Sequence, residues 1–151
     1  MSRQIPFTKE GYENLKKEYQ KLADSRKPAV EDLKKAREMG DLSENGYYKA
    51  ARAKLSSIDY NLRRLGYLIK DAIVVETKKK DTIDIGSKVT LEIDNKTVEY
   101  NIVGGYESNP KIGKISHLSP LGKALISKKT NEEIEITTPS GKIKYKIVKV
   151  Q

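Results

Sequence analysis

Residues 40–45 read Gly-Asp-Leu-Ser-Glu-Asn and set two carboxylates, Asp41 and Glu44, three residues apart. On a helix, side chains at that spacing lie about 5–6 Å apart on one face. That is within reach of one cation, or of a cation and its attacking water. Mg2+ is commonly held by one or two carboxylates, with water and substrate phosphate completing its shell. Two acids are too few for a self-sufficient nuclease, which holds two metals about 3.5–4 Å apart. A catalytic role for the pair therefore means completing an active site that another molecule supplies. The same residues have a structural reading. Asp at a helix start with Glu three residues on resembles a capping box, and negative charge there is favourable by about 0.3–1 kcal/mol. Spacing alone favours the cap, and a carboxylate has lone pairs enough for both roles.

The pair sits where two heptad patterns meet. Before it, Tyr12, Leu15, Tyr19, Leu22, Arg26, Ala29, Leu33, Ala36 and Gly40 step by three and four. After it, Tyr48, Ala51, Leu55, Ile58, Leu62, Leu65, Ile69 and Ala72 do the same. That stepping is the seam of a coiled coil. Each arm is about 30 residues, roughly 45 Å at 1.5 Å per residue, and the short polar connection favours antiparallel neighbours. The acids then stand at the tip of a long hairpin. Two features interrupt the first arm: Arg26 occupies a seam position, and Pro28 removes a helical hydrogen bond, so a bend or break is expected near residues 25–28. Ala29, Ala36 and Ala51 line the seam toward the tip and allow close helices.

Composition excludes several classes. The chain has 151 residues and no cysteine, hence no disulfide framework or thiolate metal site. No run approaches the roughly 18 apolar residues of a membrane span, and the first eleven residues lack the apolar core of a signal peptide. A soluble cytoplasmic protein is the expectation. Net charge is +9, spread over both halves. Between Asn45 and Lys70, however, six basic residues face a single acid, Asp59. Such a stripe attracts phosphates or is simply a solvated coiled-coil face.

From about residue 76 the pattern changes. Residues 77–84 are charged and aperiodic, a linker between a hairpin domain at 1–76 and a second domain at 85–151. There, Val89, Leu91 and Ile93 alternate, Asp94-Asn95-Lys96 makes a turn, and Val98, Tyr100 and Ile102 alternate again, as a β-hairpin does. A second pair, 134–138 and 142–150, is joined by Pro139-Ser140-Gly141. Between the pairs, Ser119 and Pro120 suit the N-cap and first position of a short helix. The fold class is α+β: an antiparallel helical hairpin, then a small, mostly antiparallel sheet with one short helix. Gly113-Lys114 and Gly122-Lys123 lack the spacing of a phosphate-binding loop. His117, the only histidine, reads as a surface or turn residue, and no catalytic triad or zinc site can be assembled.

Several strings resemble a known family over essentially the whole chain. They are Phe7-Thr8-Lys9-Glu10-Gly11-Tyr12, Ala36-Arg37-Glu38-Met39-Gly40-Asp41-Leu42-Ser43-Glu44-Asn45, Gly113-Lys114-Ile115-Ser116 and Ser119-Pro120-Leu121-Gly122-Lys123-Ala124-Leu125. They resemble the bacterial Gre transcript-cleavage factors, within them the GreA branch. The resemblance implies an FKBP-like second domain docked on the rim of RNA polymerase and a coiled coil reaching the active centre through the secondary channel. It implies stimulated cleavage of backtracked nascent RNA by the polymerase, the chain being an accessory protein and not an enzyme itself. Asp41 would help hold a Mg2+ ion shared with the polymerase and not bound stably by the free protein, and Glu44 would position the attacking water. Arg37, Lys49 and Arg52 would lie near the RNA 3′ segment, and Ser119 and Pro120 would support polymerase docking. A monomer without membrane contact is expected.

The chain departs from the family pattern at Gly46-Tyr47-Tyr48, where Ala-Glu-Tyr is common, at Ala53, where an acid is common, and at Ser127, where glycine is usual. The missing acids keep alive a Gre-like regulator that occupies the channel without cleavage. A general basic RNA- or DNA-binding coiled coil is a further alternative, with strongly salt-dependent affinity for free nucleic acid.

Overall fold

The heptad stepping produces two long helices, α1 (Lys9–Arg37) and α2 (Gly46–Asp71). The structure, a computed structural model, describes residues 4–40, 45–76 and 81–151. Two compact units emerge, one of Tyr12–Asp71 and one of Met1–Gly11 with Ala72–Gln151.

In the helical unit, Ala36 meets Asn45, Arg26 meets Asp59 and Tyr19 lies against Gly66, so the helices run antiparallel. Leu15, Ala29, Leu33 and Ala36 of α1 are buried, as are Ile58, Leu65 and Leu68 of α2. All but Leu68 were seam positions. Each fully buried Leu or Ile contributes about 1.5–3 kcal/mol.

Of the bend or break expected near residues 25–28, the break does not occur: α1 is continuous through Pro28. Pro28 and Asp24 are both exposed, so the ring faces solvent and water can satisfy the carbonyl that proline leaves unpaired. Flanking residues hold the helix in place. Ala29 is buried on the seam, and Arg26 reaches across to Asp59 through Nε–Oδ1 at 2.7 Å and Nη2–Oδ2 at 3.4 Å. The charged seam position is thus one half of a two-pronged interhelical ion pair, the planar geometry that suits arginine.

The second unit begins with a strand pair the periodicity did not indicate. β1 (Ile5–Phe7) lies parallel to β2 (Ala72–Val74), joining the segments that enter and leave the hairpin. Between β1 and α1, Thr8 Oγ1 accepts the backbone N–H of Gly11 at 3.0 Å. The Glu107 carboxylate accepts from the Thr8 backbone N–H at 2.9 Å, from its hydroxyl, and from Gly104 N–H at 3.2 Å. Gly11 is required here, since a Cβ would sit 1.7 Å from Glu107 Oε1.

The main sheet has the order β5-β4-β3-β7-β6. Its strands are β3 (Lys88–Ile93), β4 (Lys96–Val103), β5 (Lys114–Ser116), β6 (Glu133–Thr138) and β7 (Gly141–Val150). Both expected hairpins form, and Asp94 and Asn95 adopt φ of 49° and 63°, as a tight two-residue turn demands. The sheet is mixed, because β5 runs parallel to β4; a three-residue strand carries no legible alternation. The short helix α3 (Pro120–Leu125) covers a core of Ile83, Val89, Leu91, Ile102, Ile115, Leu125, Ile134 and Ile147. Of the segment read as a linker, 77–80 lie outside the described residues, while Ile83 is fully buried and its N–H donates to Lys128 O. After α3, Ser127 takes φ of 69° and donates its N–H to Ile83 O at 2.9 Å, so the turn is made there without glycine.

Two outcomes follow. The hydrogen bond from Arg26 holds the Asp59 carboxyl below its usual range, outweighing desolvation, which acts the opposite way, and weaker attraction from Arg26 and Arg63 adds to the lowering. A carboxyl lowered by folding contributes fully above about pH 4 and loses its contribution as pH falls through the lowered value. Melting temperature should therefore fall less between pH 5 and pH 2 in Asp59→Asn than in the wild type. Ser127→Gly should raise stability by about 0.5–1 kcal/mol in a denaturant titration, because left-handed backbone costs a non-glycine residue about 1–2 kcal/mol.

Candidate functional site

Charged residues in the last turn of α1, Lys34, Lys35 and Arg37, complement the negative end of the helix dipole. The chain then tightens, with Glu38 N–H donating to Lys35 O at 3.1 Å and Met39 N–H to Ala36 O at 3.2 Å. Gly40 follows at φ of 106°, backbone that suits glycine. Asp41 and Glu44 lie outside the described residues.

The description resumes at Asn45, which ties the two helices together. Its side-chain Oδ1 accepts the Tyr48 N–H at 3.1 Å, the third residue of α2, and its backbone O accepts from Lys49 N–H. That is N-cap geometry. Its Nδ2 donates to Ala36 O at 3.1 Å, a carbonyl in the last turn of α1. One amide thus satisfies a free donor of one helix and an acceptor of the other. The cap read at Asp41, with Glu44 completing a box, lies outside the described residues; α2 itself starts at Gly46 and is capped by Asn45. Polar residues before a helix are read as caps by spacing, and Asn45 matches that rule as well as Asp41 does.

Arg37, Lys49 and Arg52 are all exposed near this end of the hairpin. Lys49 and Arg52, three residues apart, share a face of α2. Tyr48 is half-buried and Tyr47 exposed. Among the described residues no three His, Asp or Glu side chains converge as a metal site, and no helix is long and apolar enough to cross a membrane.

Ser119 and Pro120 stand in the other unit. Ser119 Oγ accepts the Gly122 N–H at 3.0 Å and donates to Ser116 O at 2.7 Å, so its hydroxyl proton is committed inside the loop. Gly122 is buried, and a Cβ there would lie 2.0 Å from Ser116 O. The loop leaves Pro120 exposed. Beside it stands Leu118, 60% exposed and packed near Gly105, with Tyr106 63% exposed next in sequence to that glycine. This apolar patch escaped the sequence reading, although a leucine inside the polar turn Ser116-His117-Leu118-Ser119 was the available signal. His117 is a turn residue as expected, its backbone N–H donating to Val103 O at 3.0 Å.

Comparison with known proteins matches both units. The family description "Transcription elongation factor, N-terminal" covers residues 5–74, and "Transcription elongation factor, GreA/GreB, C-term" covers residues 78–151. The chain belongs to the GreA/GreB family of transcription elongation factors. It is 42% identical over 154 positions to transcription elongation factor GreA of Neorickettsia sennetsu, covering 99% of this chain and 97% of that one. It is 39% identical to GreA of Nitratiruptor sp., covering 99% and 94%. Among solved structures, that of the transcription factor Gfh1 is similar with a TM-score of 0.50 and 26% identity, over 100% of this chain and 99% of that one. Both of these relatives are named transcription elongation factor GreA.

The tie at Asn45 has a measurable worth. Asn45→Ala removes the cap of this GreA/GreB-family hairpin, and N-cap loss costs about 0.5–2 kcal/mol. Thermal melting followed by circular dichroism should report that loss, with Asn45→Asp losing less, because a carboxylate still caps α2 but has no proton for Ala36 O.

Proposed function

We propose that this protein acts on bacterial RNA polymerase as a monomer, entering the secondary channel with its helical hairpin and stimulating cleavage of backtracked nascent RNA. The observation that supports this most is the tie at Asn45. It fastens the last turn of α1 to the first turn of α2, the two segments that flank the acid-bearing residues 41–44 in the sequence. It also fills the capping role that a purely structural reading would give to Asp41.

The donor set suits Mg2+ only as a shared ion. Asp41 and Glu44 supply two carboxylates, the usual protein share of a Mg2+ shell, and no further acidic cluster exists among the described residues. When bound, the ion would stabilise charge on the phosphoryl oxygens and favour ionisation of the attacking water. Asp41 is assigned to hold it beside the polymerase's own carboxylates. Glu44 is assigned to orient the water and accept its proton. Arg37, Lys49 and Arg52 are exposed cations that would attract the RNA phosphates. Docking on the rim of the polymerase is assigned to the loop that Ser119 braces, with Pro120, Leu118 and Tyr106 as its apolar contacts.

The deciding experiment is transcript cleavage in a stalled, backtracked elongation complex with Mg2+ and 5′-labelled RNA. Wild type should shorten the RNA. Asp41→Ala and Glu44→Ala should each reduce that stimulation by about 100-fold or more while polymerase binding stays intact. Wild type that binds polymerase without shortening the RNA would instead mark a regulator that occupies the channel.

A further inference from the structure

Tyr60 and Tyr67 of α2 are 61% and 68% exposed. Seven residues apart, they stand on the same face, about 10 Å from one another along the axis. Between them lie Arg63 and Arg64, both exposed, and Lys70 extends the charge by one turn. Of the acids that flank this stretch, Asp59 is engaged with Arg26 of α1 and Asp71 stands at the end of α2, directly after Lys70. Tyr60 is about 22 Å along α2 from Asn45 at 1.5 Å per residue. The stripe is therefore distinct from the residues assigned to the tip.

Its composition and curvature indicate its occupant. Tyrosine and arginine are the residues most enriched among those that dominate protein–protein binding energy, and tyrosine loses little conformational freedom on contact. Anchors at i, i+3, i+4 and i+7 are the pattern by which one helix face lies in a groove of a partner; here they are Tyr60, Arg63, Arg64 and Tyr67. Sites for single-stranded nucleic acid combine a basic groove that tracks the backbone with stacked aromatic platforms. The outer face of one helix is convex, and two guanidinium groups separate its rings. We infer that the Tyr60–Lys70 face of α2 is a docking surface for an acidic groove of a protein, and, resting on the function proposed above, that the groove belongs to RNA polymerase. This hold on the arm adds affinity without taking part in cleavage.

The test measures binding of the labelled full chain to core RNA polymerase by fluorescence anisotropy, at low and high salt. Wild type is compared with Tyr60→Ala/Tyr67→Ala and Arg63→Glu/Arg64→Glu, their helix content checked by circular dichroism. Alanine is a strong helix former, so the tyrosine variant keeps α2 intact. The expected result is binding weakened about tenfold or more by loss of both rings, the scale of central interface residues. The charge reversal should weaken binding most at low salt. Cleavage at saturating concentrations of the tyrosine variant should match wild type, which separates this role from the tip's. Labelled oligo-uridylate is titrated in parallel. Polymerase binding unchanged in both variants overturns the inference and leaves the proposed function standing. Lost oligo-uridylate binding with unchanged polymerase binding overturns it in favour of a nucleic-acid platform. Wild type that does not bind polymerase at all overturns both.

Discussion

Helix ends leave backbone groups without partners, and a two-helix hairpin has little else to fix its geometry. In this chain two side chains settle both problems together. At one end, Asn45 caps α2 and hydrogen-bonds a carbonyl of α1. At the other, Glu107 receives the backbone and hydroxyl of Thr8, which in turn caps the first turn of α1 through Gly11. The second arrangement dictates sequence at a distance: Gly11 has no side chain because the Glu107 carboxylate fills that space. Within the hairpin, a buried seam of alanine, leucine and isoleucine keeps the helices in contact, with Arg26 and Asp59 holding one register along the way.

The parts of this fold that repeat were legible. Heptad stepping gave both helices, and period-two alternation gave both antiparallel hairpins with their turns. Ser119 and Pro120 gave the start of α3. What escaped was short or conditional. Three-residue strands such as β1, β2 and β5 contain too few residues for a period, and their pairing is a tertiary event. Pro28 does not end α1, because proline breaks a helix only where neighbours do not restore it; here its carbonyl partner faces water, Ala29 is buried and Arg26 is paired. Arg26 was seen as a flaw in the seam because its partner lies 33 residues away. At the candidate site, spacing singled out the two acids, while the cap of α2 stands at Asn45. Several polar residues in a row satisfy the same rule, and only the hydrogen bonds choose among them.

Family membership and local chemistry answer different questions here. The family supplies a setting, transcription elongation. The hydrogen bonds tell which side chains are already occupied. Ser119 spends its hydroxyl on its own loop, and the loop leaves Pro120 and Leu118 exposed. Asn45 spends its amide on the hairpin. Asp41 and Glu44 lie outside the described residues, and their assignment rests on residue type, spacing and family pattern.

The residue after Asn45 is Gly46. Asparagine followed by glycine is the pairing most prone to spontaneous deamidation, because glycine leaves its backbone nitrogen unhindered to attack the side-chain carbonyl. Ammonia departs, and water opens the resulting ring to aspartate or its backbone-lengthened isomer. In the folded chain both polar atoms of that amide are engaged, one by Tyr48 and one by Ala36, and the reaction must wait for them to let go. Once it has occurred, a carboxylate faces the Ala36 carbonyl with no proton to offer. The two hydrogen bonds that join the helices are thus also what shields this amide from its glycine neighbour.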